Sequence, residues 1–221
     1  MNDETIFSRV DHTLLKADAA WPAIKNLCEE AIRHKTACVC VPPSYVKKIV
    51  ERYGSKIPVC TVIGFPLGYS ALKAKEAELE RAHKNGAAEF DMVINIGDAK
   101  NGRFNKIEGE IASLKKIAGK KILKVIIETC CLTRDEKIEL CKRVTSAGAD
   151  FIKTSTGFGA AGATLDDVAL FREHIGKNVA IKAAGGIKTR EDMVAFIEAG
   201  CARLGTSSAV AILAGGGTSG Y

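Results

Sequence analysis

Three times in this chain a glycine and a small residue stand between an amphipathic run and an apolar one, as Gly86-Ala87, Gly148-Ala149 and Gly200-Cys201. Each pair follows an amphipathic run and precedes an apolar run by two or three residues. Glycine just past a helix adopts the left-handed backbone that ends it, so each pair marks a helix turning directly into a strand. The pairs lie 62 and 52 residues apart (86 to 148, 148 to 200). Two strand–helix units per interval give a unit of about 26 to 31 residues, and eight units of about 28 fill the 221-residue chain.

The apolar runs give the strands: residues 6–10, 38–41, 59–63, 90–94, 123–127, 151–153, 179–181 and 203–205. Between them lie helical patterns such as 21–34, 71–84, 133–147 and 190–199. Strand and helix in strict alternation imply a parallel sheet covered by helices. The expected fold is therefore a single (β/α)₈ barrel over residues 1–221, with a flexible tail from Gly215 to Tyr221. A doubly wound open sheet is the rival. It would carry a glycine-rich loop after its first strand, where this chain has Asp11-His12-Thr13.

Composition removes several function classes. No apolar run reaches the roughly 18 to 20 residues of a membrane span, and Met1-Asn2-Asp3-Glu4 lacks a signal core, so a cytoplasmic protein is expected. Eight cysteines form no C-x-x-C pair and have no neighbouring histidines. They read as buried, reduced thiols rather than metal ligands, Cys40 among them, and no metal or other cofactor is expected. The charge of +6 is dispersed, without interleaved aromatics, which argues against nucleic acid. It does suit a small anionic substrate.

In a (β/α)₈ barrel the chemistry sits at the C-terminal strand ends, and a charge inside a parallel strand needs a partner or a purpose. Asp11, Asp91, Glu128, Lys153 and Lys182 occupy such places. If Ile152 and Ile181 face the helices, Lys153 and Lys182 face the axis from adjacent strands. Two neighbouring buried ammonium groups favour loss of one proton. A free lysine, with a pKa of about 10.4, is neutral in only about one of 2,500 molecules at pH 7. A neutral amine beside a cation is a carbonyl nucleophile, and Asp91 or Asp11 could move protons for it. The residues alone leave open which lysine attacks. They also leave open a buried ion network of both lysines with Asp91, Asp11 and Glu128.

Three small, polar loops follow strands 6, 7 and 8: residues 154–158, 183–187 and 206–208. Gly157, Gly185 and Gly186 let backbone N–H groups approach an anion. Ser207 and Ser208 precede the short apolar run 209–213. The last two loops are the usual phosphate site of this fold.

These motifs together resemble the deoxyribose-phosphate aldolase family. The matching stretches are residues 11–15 (DHTLL), 39–41 (VCV), 62–68 (VIGFPLG), 89–97 (EFDMVINIG), 124–129 (KVIIET), 150–158 (DFIKTSTGF), 181–187 (IKAAGGI) and 205–208 (GTSS). The resemblance implies a class I aldolase that splits 2-deoxy-D-ribose 5-phosphate into D-glyceraldehyde 3-phosphate and acetaldehyde, in deoxynucleoside catabolism. It implies Lys153 as the Schiff-base lysine, Lys182 as the cation that lowers its pKa, and Asp91 in the proton relay. Gly157, Gly185, Gly186, Ser207 and Ser208 would hold the phosphate, and Tyr221 would assist proton transfer. A homodimer or homotetramer is implied as well. The chain departs from the pattern at Pro42, where the family often has asparagine, and at Phe158, which brings no charge to the phosphate. Two other readings stand beside this one. One is a barrel isomerase or lyase using lysine and carboxylate only as acid and base; the other is a silent sugar-phosphate binder.

Overall fold

The computed structural model describes residues 1–215; the expectations for Tyr221 and the tail beyond Gly215 lie outside them. Eight parallel strands close into a barrel in sequence order: β1 (Val10–Thr13), β2 (Cys38–Val41), β3 (Val59–Ile63), β4 (Glu89–Val93), β5 (Ile122–Ile126), β6 (Phe151–Lys153), β7 (Ala180–Ala184) and β8 (Arg203–Thr206). The helices are α1 (Asp3–Phe7), α2 (Trp21–His34), α3 (Val46–Tyr53), α4 (Leu72–Lys84), α5 (Ile96–Lys100), α6 (Phe104–Ala118), α7 (Arg134–Ser146), α8 (Leu165–His174), α9 (Arg190–Glu198) and α10 (Ala209–Leu213). The three stop glycines do take positive φ, at 96°, 74° and 109°.

Three boundaries differ from the sequence expectation in ways that bear on function. Residues 6–10 were expected to form the first strand, but Ile6 and Phe7 end α1. That helix exists because Asn2 accepts the Thr5 N–H at 2.9 Å and Asp3 and Glu4 sit in the first turn, where acids suit the helix dipole. The strand starts at Val10, so Asp11 lies inside it rather than at its end. Strand β7 runs on to Ala184, which puts Lys182 in mid-strand. Finally, Cys130 and Cys131 are not strand thiols. They sit on a 3-10 turn, Thr129–Cys131, and are exposed, whereas the other six cysteines are buried.

The main core lies between sheet and helices. Val39, Phe90, Met92, Leu123, Val125, Ile152 and Ile181 pack outward against residues such as Ile24, Leu79, Ile111, Leu140 and Phe171. A smaller cluster of Leu15, Cys38, Cys40, Cys60 and Val62 lies beside the charged groups of the barrel interior. Behind β3 and β4 a further buried cation appears. Lys75 of α4 donates to the Val93 carbonyl at 2.8 Å and to Glu110 at 2.8 Å. Its stem fills the space under Gly64, where a Cβ would come within 2.6 Å of Lys75 Cε.

Helix α7 starts on a capping box: Thr133 accepts the Glu136 N–H, and Glu136 accepts the Thr133 N–H at 2.7 Å. Replacing Thr133 by alanine is expected to cost about 1 kcal/mol, measured as a lower urea midpoint.

Candidate active site

The strand register brings the charged residues together. Asp91 lies opposite Lys124, Lys153 opposite Lys182, and Lys182 opposite Arg203. Side chains two apart on a strand share a face, so Asp91 pointing inward takes Glu89 with it. The interior of the barrel therefore holds a cluster of seven charged side chains.

Asp91 is its centre. One carboxylate oxygen, Oδ1, accepts from Lys124 at 2.8 Å, and the other, Oδ2, accepts from both Lys153 at 2.9 Å and Lys182 at 2.7 Å. Lys182 also donates to Asp11 Oδ2 at 2.5 Å. Below them Arg203 bridges Asp11 at 2.6 Å and Glu89 at 3.0 Å, and Lys124 reaches Glu89 at 2.6 Å. Lys182 has room because residue 205 is glycine; a Cβ there would lie 3.1 Å from Lys182 Cε.

Burial alone would raise the Asp11 and Asp91 carboxyl groups, but the surrounding cations outweigh it. Lys182, Lys124 and Arg203 hold Asp11 well below the usual carboxylate range; Lys124, Lys153 and Lys182 do the same for Asp91. Burial would likewise favour neutral Lys182 and Lys124. Asp11 and Asp91 instead push the Lys182 ammonium well above its ordinary value, and Asp91, with Cys60, Asp11 and Glu89, does so for Lys124. Lys182 is thus a fixed cation. The lysine pair does not relieve its repulsion by deprotonating Lys182.

All three lysines are buried, and the cavity separates them. Among the described residues, a cavity of about 320 Å³ opens at the C-terminal end of the strands, and it is lined by Lys153 but by neither Lys182 nor Lys124. Gly157, Gly185, Gly186, Ser207 and Ser208 line the same cavity, so the three small loops converge as the sequence suggests. Gly162 packs flat against Gly185, where a Cβ on Gly162 would meet the Gly185 carbonyl at 2.3 Å. Lys188, missed in the sequence, also lines this cavity and adds a cationic side chain.

Glu128 stands apart from the ion network. At φ 54° it turns its carboxylate onto the β6 loop, accepting from the Thr156 N–H at 3.3 Å and from the Thr156 hydroxyl. Phe158 is half exposed and meets Phe65 edge to face at 5.3 Å. Cys40 is fully buried; its hydrogen bond with Cys60, together with burial, pushes its thiol well above the ordinary range. Asp11, Cys38, Cys60 and Glu89 place donor atoms within 4.8 Å of one another, yet both carboxylates are already ion-paired to Arg203 and Lys124.

Fold and cluster are those of a (β/α)₈ enzyme with its working end at the C-terminal face of the strands. The model of the DeoC/LacD family of aldolases matches residues 5–215, and the chain belongs to that family. It is 58% identical over 221 residues, the whole of both chains, to the deoxyribose-phosphate aldolase of Clostridium botulinum (strain Alaska E43 / Type E3). It is 56% identical over 216 residues, 98% of this chain and 99% of the other, to that of Clostridioides difficile (strain 630). A solved structure from Aeropyrum pernix, described as a unique tetrameric deoxyribose phosphate aldolase, superposes with a TM-score of 0.90 at 31% identity, covering 96% of this chain and 91% of that one.

The carboxyl groups of Asp11 and Asp91 ionise below the ordinary value of 3.8. The stability they contribute is then fully present above about pH 4 and is lost as pH falls through their folded-state values. Thermal unfolding midpoints should hold down to about pH 4 and drop below it. Lys182→Met, which removes one cation from both Asp11 and Asp91 in a buried cluster, should cost about 3 kcal/mol at neutral pH.

Proposed function

We propose that the protein is a class I aldolase that reversibly splits 2-deoxy-D-ribose 5-phosphate into D-glyceraldehyde 3-phosphate and acetaldehyde through a Schiff base on Lys153. One observation carries the reading: of the three lysines gathered on Asp91, Lys153 alone lines the cavity that the small loops enclose. The two bacterial relatives named above bear this activity in their names over their full length.

The neutral Lys153 amine adds to the C1 aldehyde of the open-chain sugar, and loss of water leaves an imine. The protonated imine draws in the electrons of the C2–C3 bond while the C3 hydroxyl gives up its proton. Glyceraldehyde 3-phosphate leaves, and an enamine remains on Lys153. Protonation at C2 and hydrolysis then release acetaldehyde and the free amine. The imine is itself the electron sink, so the reading calls for no cofactor.

Four cationic side chains (Lys124, Lys153, Lys182, Arg203) face three carboxylates (Asp11, Glu89, Asp91). Lys182 holds a fixed positive charge beside the nucleophile, and Asp91, bonded to both, passes protons to and from the substrate through water. Gly157, Gly185, Gly186, Ser207 and Ser208 offer backbone N–H and hydroxyl groups to the phosphate, with Lys188 at the rim. This compensates for an apolar Phe158.

The protein acts as a homodimer or homotetramer, a reading supported by the tetrameric description of the Aeropyrum pernix structure and by Leu67, Tyr69 and Leu72 exposed near one another in sequence. Its setting is the cytoplasm, in deoxynucleoside breakdown. No described helix is long and apolar enough to cross a membrane.

Borohydride reduction in the presence of deoxyribose 5-phosphate should fix a sugar fragment on Lys153, mapped by peptide mass spectrometry and absent from Lys153→Leu. An adduct on Lys182 would reverse the two lysine roles. No adduct in folded, sugar-binding protein would replace the imine with acid–base chemistry or binding alone. Asp91→Asn should lower kcat by about 10²- to 10⁴-fold. In Ser208→Asp, a negative charge beside the phosphate should raise KM for the phosphorylated sugar about tenfold and leave KM for unphosphorylated deoxyribose unchanged.

A further inference from the structure

Cys130 and Cys131 are adjacent in sequence, both exposed, and their sulfurs lie 4.0 Å apart. That is close to the separation of about 3.8 Å that two thiolates have on one tetrahedral zinc, given a Zn–S bond of about 2.3 Å. The backbone already holds them there: Cys131 N–H donates to Glu128 O at 3.0 Å, Leu132 N–H to Thr129 O at 3.2 Å, and Thr129 N–H to Thr154 O at 2.9 Å. Two thiols fixed side by side bind one thiophilic centre without paying to bring the second ligand in.

The pair also touches the machinery of the cavity. Cys130 Sγ lies 4.0 Å from Glu128 Oε1, and a Cβ at Gly159 would come within 3.0 Å of the same sulfur. Glu128 is the group that holds Thr156, one residue before Gly157. An atom bound to Cys130 therefore presses on the carboxylate that shapes the β6 loop.

We propose that Cys130 and Cys131 form a vicinal dithiol site for a thiophilic trivalent centre of the arsenic(III) class, and that its occupation loosens the phosphate loop through Glu128. The exchange balances without an oxidant. With phenylarsine oxide, two S–H bonds are lost and two As–S bonds form, and the arsenic oxygen leaves as water with both protons. Arsenic stays trivalent. Burial, with the neighbouring Cys130 thiol, pushes the Cys131 thiol up, so its proton leaves as the As–S bond forms rather than beforehand.

The test is native intact-mass spectrometry of the whole protein with phenylarsine oxide, followed by kinetics. One phenylarsenic adduct is expected on the wild type, removed by ethanedithiol but not by a monothiol, and absent from both Cys130→Ser and Cys131→Ser. The serine variants should keep wild-type turnover. No wild-type adduct, or an adduct that persists in both variants, overturns the site. The second half rests on the proposed aldolase reading: occupation should raise KM for deoxyribose 5-phosphate about tenfold, the effect of one lost hydrogen bond to a charged group. An adduct with unchanged KM overturns the coupling. Because the mass is read without turnover, failure of the site and failure of the aldolase reading remain distinct.

Discussion

A single buried carboxylate, Asp91, binds three ammonium groups from three neighbouring strands. Removing one charge from water costs several kcal/mol, and this cluster buries six, with Arg203 half-buried beside them. The arrangement persists because no charge in it stands alone: Asp91 is shared by Lys124, Lys153 and Lys182, Asp11 by Lys182 and Arg203, and Glu89 by Lys124 and Arg203. Where apolar layers usually fill such a barrel, a small cluster of Leu15, Cys38, Cys40, Cys60 and Val62 lies beside the charges, and Cys60 joins them, donating to Asp91 at 3.2 Å and accepting from Lys124 at 3.3 Å. Stability then falls to the outer core between sheet and helices.

Much of this was legible in the sequence. The stop glycines and the strand–helix rhythm gave the barrel and, to within a residue, the bounds of the four helices Trp21–His34, Leu72–Lys84, Arg134–Ser146 and Arg190–Glu198, because both are local properties. The inward pairing of Lys153 with Lys182 followed from alternation alone. Lys124, Glu89 and Arg203 were missed. Glu89 could have been found by stepping two residues back from Asp91, and Lys124 by treating a lysine between Leu123 and Val125 like the one after Ile152. Arg203 opens its strand and gives a weaker signal, since arginine is common there. Lys75 could not be read at all. It lies on a helix rich in charged residues, and only the close approach of Gly64 and Glu110 shows that its ammonium is buried.

The electrostatics were legible only in part. Two neighbouring lysines suggested that one must lose its proton, but the sequence could not assign it. The structure shows only how their surroundings differ: Lys182 meets two carboxylates and does not line the cavity, whereas Lys153 meets one oxygen of Asp91 and lines it. Glu128 was expected near the ion network, and its left-handed backbone turns it to a loop instead. Such a turn has no local signature in a residue other than glycine.

The ladder of Arg203, Glu89, Lys124, Asp91, Lys182 and Asp11 has a consequence for how this protein can change over generations. Each rung is shared by its neighbours, so exchanging one takes a partner from at least two others in a dry interior. Neutral drift can wander across the helices and the outer core, residue by residue. Inside the barrel it must advance by paired or compensated exchanges, and the order in which they arrive decides which intermediates fold. The interior is thus a historical lock, whose separate letters are not free to vary although none of them is chemically unique.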